Sequence, residues 1–242
     1  AEESNRDQQF VEQLCSRLGV KLEICSYDTI SYAAEKKISI EMAARELRYA
    51  DFERLRQEYN ANSIAVAHHR DDSVETLLMN LMRGTGIRGL TGIKPKNGYV
   101  IRPLLSVERV EIEEYLNSIG QDYVTDSTNL ETDYTRNKIR LNLLPLMRAI
   151  NPNADRSIEN TALHLQQAYL MYNDAVQKAI ADVVKREDEV LIIDTDALLA
   201  TASPSAILYE ILSGYGYNEQ QVSDIMESLD AESGRRFTSA GY

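Results

Sequence analysis

No run of about 18 apolar residues occurs in this 242-residue chain, so no membrane-spanning helix is expected. The first residues, AEESNRDQQF, have neither a basic n-region nor an apolar h-region, and we expect a soluble, unsecreted, cytoplasmic protein. Cysteine is scarce. Cys15 and Cys25 are the only two and form no C-x-x-C pair, which argues against a disulfide framework and against a cysteine-based zinc or iron–sulfur site. Positive charge is also short: 26 Lys and Arg stand against 38 Asp and Glu, a net charge of -12, which counts against general binding of nucleic acid. The deficit is uneven. Residues 83–148 carry a balance of +2 and the rest of the chain -14, so a basic surface is confined to one region.

The densest chemistry lies in SIAVAHHRDDSVETLLMNLMRGTGIRGLTG, which begins at Ser63. Ser63–Ala67 reads as an apolar strand buried on both faces. His68, His69, Asp71, Asp72 and Glu75 follow at once, and Val74, Leu77, Leu78 and Leu81 then recur at helical spacing. Ligands of open α/β sheets bind outside the carboxyl ends of the strands, where this titratable cluster falls. A structural reading competes: Asp72-Ser-Val-Glu75 fits a capping box, and paired histidines also occur as satisfied strand-end residues. Gly84-Thr-Gly86-Ile-Arg-Gly89 matches the G-x-G-x-x-G letters but follows a helix instead of a strand, so it is not a nucleotide fingerprint. Gly84 reads as the helix stop, and the other glycines allow a tight loop to approach a ligand or another backbone.

Taken in order, residues 5–18 predict a helix closed by Gly19, and Val20–Tyr27 alternates as a strand. The acid-containing stretch Asp28–Lys37 leads to a helix capped near Ser39. With the Ser63 strand this is a β-α-β unit. Tyr99–Leu105 reads as a strand edge, Ser106 as the cap of a helix ending before Gly120, and Tyr123–Asn129 as a short strand running into a polar turn. Arg136 and Arg140 share a helix face beside Asn137, a pattern that by composition alone favours a solvated surface helix. Asn151-Pro-Asn153 breaks the chain. A long helix follows, then a strand at Val190–Ile193, helices at 206–212 and 220–229, and RRFTSAGY, which resembles a strand cut in mid-domain.

The expected fold is therefore α/β: a doubly wound, mostly parallel, Rossmann-like sheet over residues 1–150, a connecting long helix over 151–187, and the start of a smaller mixed α/β accessory domain over 188–242.

AHHRDDSVETLLMNLMRGTGIRGLTGI closely resembles the central motif of the bacterial tRNA(Ile)-lysidine synthetases, members of the N-type ATP pyrophosphatase (PP-loop) group. The helix Glu41-Met-Ala-Ala44-Arg45-Glu-Leu-Arg48-Tyr49, the Arg102-Pro-Leu-Leu105 segment, and Asp126-Ser-Thr-Asn129 followed by Arg136-Asn137-Lys-Ile-Arg140 resemble that family's motifs in the right order. The resemblance covers residues 1 to 150; the tail is similar to the family's tRNA-binding accessory region. It implies a ligase that adenylates the C2 carbonyl oxygen of the wobble cytidine and then couples lysine there. Asp72, Glu75 and Arg140 would be catalytic, the carboxylates holding the ε-ammonium and taking its proton. His68, His69, Asp71, Arg83, Gly84, Arg136 and Asn137 would bind ATP or tRNA, with no protein metal ligand assigned. The implied partners are tRNA(Ile), free L-lysine and ATP, with Mg²⁺ accompanying the phosphates, no membrane, and a homodimer allowed. The family's Ser-Gly-Gly-x-Asp-Ser phosphate loop is absent from the sequence, so a fragment lacking that segment is expected. Two other readings stand beside the ligase. One is a related tRNA wobble-region thiolase, disfavoured by the lack of cysteine pairs; the other is a catalytically silent tRNA-binding module.

Overall fold

A computed structural model of the chain describes residues 2–125, 135–188, 190–229 and 234–239. It divides into two compact units, Ala1–Leu163 and His164–Tyr242. Among the described residues no helix is long and apolar enough to cross a membrane.

The first unit opens with α1 (Glu2–Leu18), which ends where Gly19 takes the left-handed conformation at φ +66°. Next come α2 (Thr29–Lys36), started by the Asp28 carboxylate accepting from the Ser31 amide, and α3 (Ile40–Glu58), capped by Ser39 as its sequence predicts. β1 (Ile64–Ala65) leads into α4 (Arg70–Met82). β2 (Lys96–Asn97) and β3 (Val100–Ile101) form a short hairpin, and the sheet order is β1-β3-β2, with β1 parallel and β2 antiparallel to β3. α5 (Arg109–Ser118), α6 (Thr135–Lys138), a wide π-type turn at Ile139–Leu143, α7 (Leu144–Ile150) and the start of α8 (Ala154–Val183) complete the unit. Val74 and Leu78 of α4 pack on Ile139 and Leu144, which joins the α4 face to the segment that carries Arg140.

The α/β class expected from the sequence holds, but helices dominate and the sheet is small. Val20–Tyr27 is not a strand, because alternation alone is not enough without a ladder partner, and the segment finds none among the described residues. Val20 and Ile24 are exposed. Ala65 and Ala67 are exposed too, so β1 is not covered on both faces as its apolar run suggested. The Tyr99–Leu105 strand shrinks to two residues, and Glu108 replaces Ser106 as the cap of α5, since its own amide is held by Glu111 at 2.7 Å. Of the expected Tyr123–Asn129 strand, residues 126–129 lie outside the described residues and 121–125 are irregular.

In the second unit, β4 (Val184–Glu187) pairs antiparallel with β5 (Val190–Ile193). α9 (Thr195–Leu199), α10 (Pro204–Leu212) and α11 (Glu219–Ser228) follow, with Asp194 and Asn218 capping α9 and α11. Val176 and Val183 of α8 form its buried core with Leu198, Ile207, Leu208, Ile211 and Val222. Residues 234–239 of the final stretch are not a strand.

Candidate active site

The chain leaves β1 and turns into α4 within four residues, which places His68 and His69 at the strand's carboxyl end and Asp71, Asp72 and Glu75 in the first turns of the helix. His69 is the N-cap of α4, and the Asp72 carboxylate accepts from the His69 amide at 3.0 Å. The capping box read over Asp72–Glu75 is thus displaced by three residues, because the helix begins at Arg70. Glu75 is free of any capping duty.

Asp71 works across elements. Its Oδ2 accepts from the Arg109 amide at 2.9 Å, satisfying an open donor at the start of α5, and lies 3.2 Å from His69 Nδ1. Arg70 ties the same two helix starts together: its amide donates to Val107 O and its guanidinium to Glu108 at 2.7 Å. Contact with His69 outweighs the upward push of burial and holds the Asp71 carboxyl down at about 2. The same contact raises the His69 pKa, whereas burial lowers that of His68.

Glu75 has no exposed surface. Arg140 donates to it from Nε to Oε1 at 2.6 Å and from Nη2 to Oε2 at 3.0 Å, and Arg136 Nε stands 3.7 Å from Oε2. Burial pushes the Glu75 carboxyl upward and Arg140 opposes it. Burial likewise works against the Arg140 charge, but Glu75, Asp72 and Asp71 more than offset it. Asn137 is buried beside the two arginines. Arg136 and Arg140 are therefore not a solvated helix face. The π-type turn that starts at Ile139, whose own side chain is 2% exposed, carries Arg140 toward α4.

A cleft of about 920 Å³ opens beside this cluster, lined among others by His69, Asp71, Glu75, Arg140, Arg148 and Glu159. Arg148 pairs bidentately with Asp155 at 2.7 and 2.8 Å and approaches Asp71 at 3.8 Å; Arg70 Nε lies 3.3 Å from Glu159. Sequence reading missed these cleft residues because Arg70, Arg148 and Glu159 sit in ordinary charged helix surface patterns. Of the residues it singled out, the structure gathers His68, His69, Asp71, Asp72, Glu75, Arg136, Asn137 and Arg140. Arg83 and Gly84 are exposed at the other end of α4, roughly 20 Å along the helix at 1.5 Å per residue. There Gly84, at φ +73°, ends α4 in a Schellman motif, its amide reaching Leu81 O and that of Thr85 reaching Asn80 O. Asp126–Asn129 lies outside the described residues.

Residues 1–147 match the family model of the PP-loop domain, and residues 185–242 that of the TilS substrate binding domain. A tRNA(Ile)-lysidine synthase of Bacteroides thetaiotaomicron is 54% identical over 238 residues, 98% of this chain and 55% of that protein. One of Parabacteroides distasonis is 48% identical over 241 residues, covering 100% of this chain and 54% of that protein. Among solved structures, the U34-tRNA thiolase NcsA from Methanococcus maripaludis with its 4Fe-4S cluster is similar over 66% of this chain and 56% of that chain, with 14% identity and a TM-score of 0.49. The chain spans about half the length of the curated relatives it matches. With a family match that runs from residue 1 to residue 147, the chain belongs to the PP-loop domain family.

Proposed function

We propose that this chain belongs to a cytoplasmic enzyme that ligates lysine to C2 of the wobble cytidine of tRNA(Ile) at the expense of ATP. The observation that carries the reading is the carboxylate and arginine set at the end of β1 and the start of α4, Asp72, Glu75 and Arg140, in a chain similar throughout to proteins named tRNA(Ile)-lysidine synthase. ATP activates the C2 carbonyl oxygen as an adenylate with release of pyrophosphate. The ε-amine of lysine then attacks C2, and AMP leaves.

Each residue has a distinct task. Both Glu75 oxygens are occupied by Arg140, so Glu75 orients the guanidinium and takes no proton itself. Asp72 keeps Oδ1 freer, 3.8 Å from Arg140, while Oδ2 accepts from the His69 amide. Asp72 is thus the carboxylate that receives the ε-ammonium of lysine and takes its proton before attack. Arg140, 22% exposed at its side chain, stabilises negative charge developing on the adenylate as AMP departs. Magnesium is expected with the phosphates of ATP. Among the described residues no group of three or more His, Cys, Asp and Glu side chains can hold a metal ion, so no protein ligand is assigned to it and no step is routed through it.

The test uses the natural full-length protein with tRNA(Ile), ATP and labelled lysine. The expected result is tRNA-dependent pyrophosphate release and lysine recovered in the wobble nucleoside by mass spectrometry. Tight tRNA binding with no lysine incorporated would replace this reading with that of a silent tRNA-binding module.

A further inference from the structure

His69 stands between two carboxylates. Its Nδ1 lies 3.2 Å from Asp71 Oδ2 and its Nε2 3.5 Å from Asp72 Oδ2, so each ring nitrogen faces an acidic oxygen. The His69 and Asp72 side chains are each 15% exposed, and charges placed there are poorly screened by water. The same Asp72 oxygen also accepts from the His69 amide at 3.0 Å, so one residue fixes how this carboxylate is turned.

Among the described residues, His69 is the nearest cationic side chain to both acids. Arg148 comes to 3.8 Å from Asp71, but Asp155 holds its guanidinium bidentately at 2.7 and 2.8 Å. Arg140 comes to 3.8 Å from Asp72 Oδ1, with its Nε and Nη2 on Glu75 at 2.6 and 3.0 Å. The other charged groups of the cleft wall are matched elsewhere, Arg70 with Glu108 and Glu159 and Arg109 with Glu113, while Arg156 of α8 is exposed. An arginine keeps its charge at any pH a folded protein meets, whereas an imidazole loses it near neutrality. Contact with Asp71, then the charges of Asp72 and Glu75, hold the proton on His69 against burial, so its value lies above the ordinary 6.5. Below that value the ring is a cation, and it sits on the carboxylate to which the ε-ammonium of lysine is assigned.

We propose that the His69 imidazolium is an internal counter-ion of Asp72 that competes with the ε-ammonium of lysine for this carboxylate, so that His69 sets the affinity for the amino-acid substrate. The inference deepens the functional reading above and rests on it for the identity of the incoming cation. His69 acts through Asp72, and Asp71 acts through His69, so both are positioning residues. When lysine docks, one cation replaces another: the ε-ammonium comes onto Asp72 and the proton on His69 Nε2 leaves to solvent. Asp71 keeps the proton on Nδ1, which fixes the tautomer of the neutral ring. The proton that the ε-ammonium gives up before attack is a separate one and still goes to Asp72. By linkage, a substrate that expels a proton from His69 binds better once that proton is already gone.

The test is the pH dependence of the KM for lysine in the natural full-length protein, with saturating ATP and tRNA(Ile), for wild type, His69→Gln and Asp71→Asn. Two cations on one carboxylate repel each other strongly in a poorly screened site, so the wild-type KM should fall about tenfold or more between about pH 6 and about pH 8. In His69→Gln the KM should be low throughout and vary by less than about twofold. In Asp71→Asn, whose amide oxygen can still accept from the Arg109 amide, the fall should begin at lower pH, because one of the acids that keep the ring charged is gone. The rise of kcat with pH that follows loss of the lysine proton should appear in all three proteins, so KM and kcat separate. A merely structural His69 would lower kcat at every pH and leave the shape of the KM profile alone. Lysine incorporation with a flat wild-type KM, with the wild-type slope retained in His69→Gln, or with an Asp71→Asn profile that coincides with wild type, overturns this inference and leaves the ligase reading standing. No incorporation at any pH removes the ligase reading and this inference with it.

Discussion

Arg140 grips Glu75 with two parallel hydrogen bonds, 2.6 and 3.0 Å long, across 65 residues of sequence. The carboxylate is fully buried and the arginine side chain is 22% exposed, so one end of the pair is dry and the other touches the cleft. The geometry suits a planar fork and no other cation.

Arg140→Ala should therefore cost stability as well as activity. It strands a buried carboxylate whose remaining cation, Arg136, is 3.7 Å away. Removing one partner of a buried pair costs about 3–5 kcal/mol, and the partial exposure of Arg140 reduces this to about 2–3. Urea denaturation of Arg140→Ala, Glu75→Gln and the double variant checks it. The double variant should lose clearly less than the sum of the two; strict additivity would mean that the pair contributes nothing to folding.

Asp72→Asn should separate the roles of the two carboxylates. An Asn oxygen can still accept from the His69 amide, so α4 keeps its start and the melting temperature should move by only a few degrees. The charge that receives the ε-ammonium is gone. In the full-length enzyme lysine incorporation should fall about a hundredfold or more, whereas tRNA-dependent pyrophosphate release persists. Normal incorporation by this variant would remove Asp72 from the chemistry.

How much of this was legible follows from the range of each interaction. Ser39 as a cap, Gly84 as a helix stop and the helix after His69 are local, and all three were readable within a few residues. The pairing of Glu75 with Arg140 was not readable, since a Glu inside D-D-S-V-E looks like capping chemistry until Asp72 is seen to do that work. Arg136 and Arg140 read as surface because four-residue spacing reports a shared face and never what the face meets. Val20–Tyr27 failed for a related reason: alternation describes a strand's two faces but not the neighbour that would bond its backbone.

The His69–Asp71 pair predicts a stability window in pH. Asp71 is depressed to about 2 from an ordinary 3.8, so its contribution is full above about pH 4 and is lost as pH falls through about 2. His69 is raised from an ordinary 6.5, so its contribution is full below that value and is lost as pH climbs through the higher folded-state value. The stability difference between wild type and His69→Gln, taken from urea titrations, should peak between about pH 4 and 6.5 and shrink on both sides. A difference that is flat from pH 2 to 9 would show that the pair does not couple to folding.

The loop after α4 gives a prediction in which space, and not charge, decides the result. A methyl group at Gly89 would lie 1.9 Å from Thr85 Oγ1 and 2.8 Å from both Thr85 Cβ and Cγ2. Gly89 cannot simply move aside: Asn80 Nδ2 holds its carbonyl at 2.8 Å, and its amide bonds Gly86 O at 3.0 Å. Nor can Thr85 yield by a small side-chain rotation, because its Cβ is itself too close and its amide closes the end of α4 on Asn80 O. Gly86 is the internal control, since it has φ -72° and no atom within 4 Å of an added methyl group. Gly89→Ala should cost about 1–3 kcal/mol, the range for overpacking, whereas Gly86→Ala should be neutral or stabilising by a few tenths. Combining Gly89→Ala with Thr85→Gly removes the colliding group and should recover more than half of the loss relative to Thr85→Gly alone. Equal melting temperatures for the two single alanine variants would mean that the loop rearranges freely, and that its glycines serve something other than this close approach of Gly89 to Thr85.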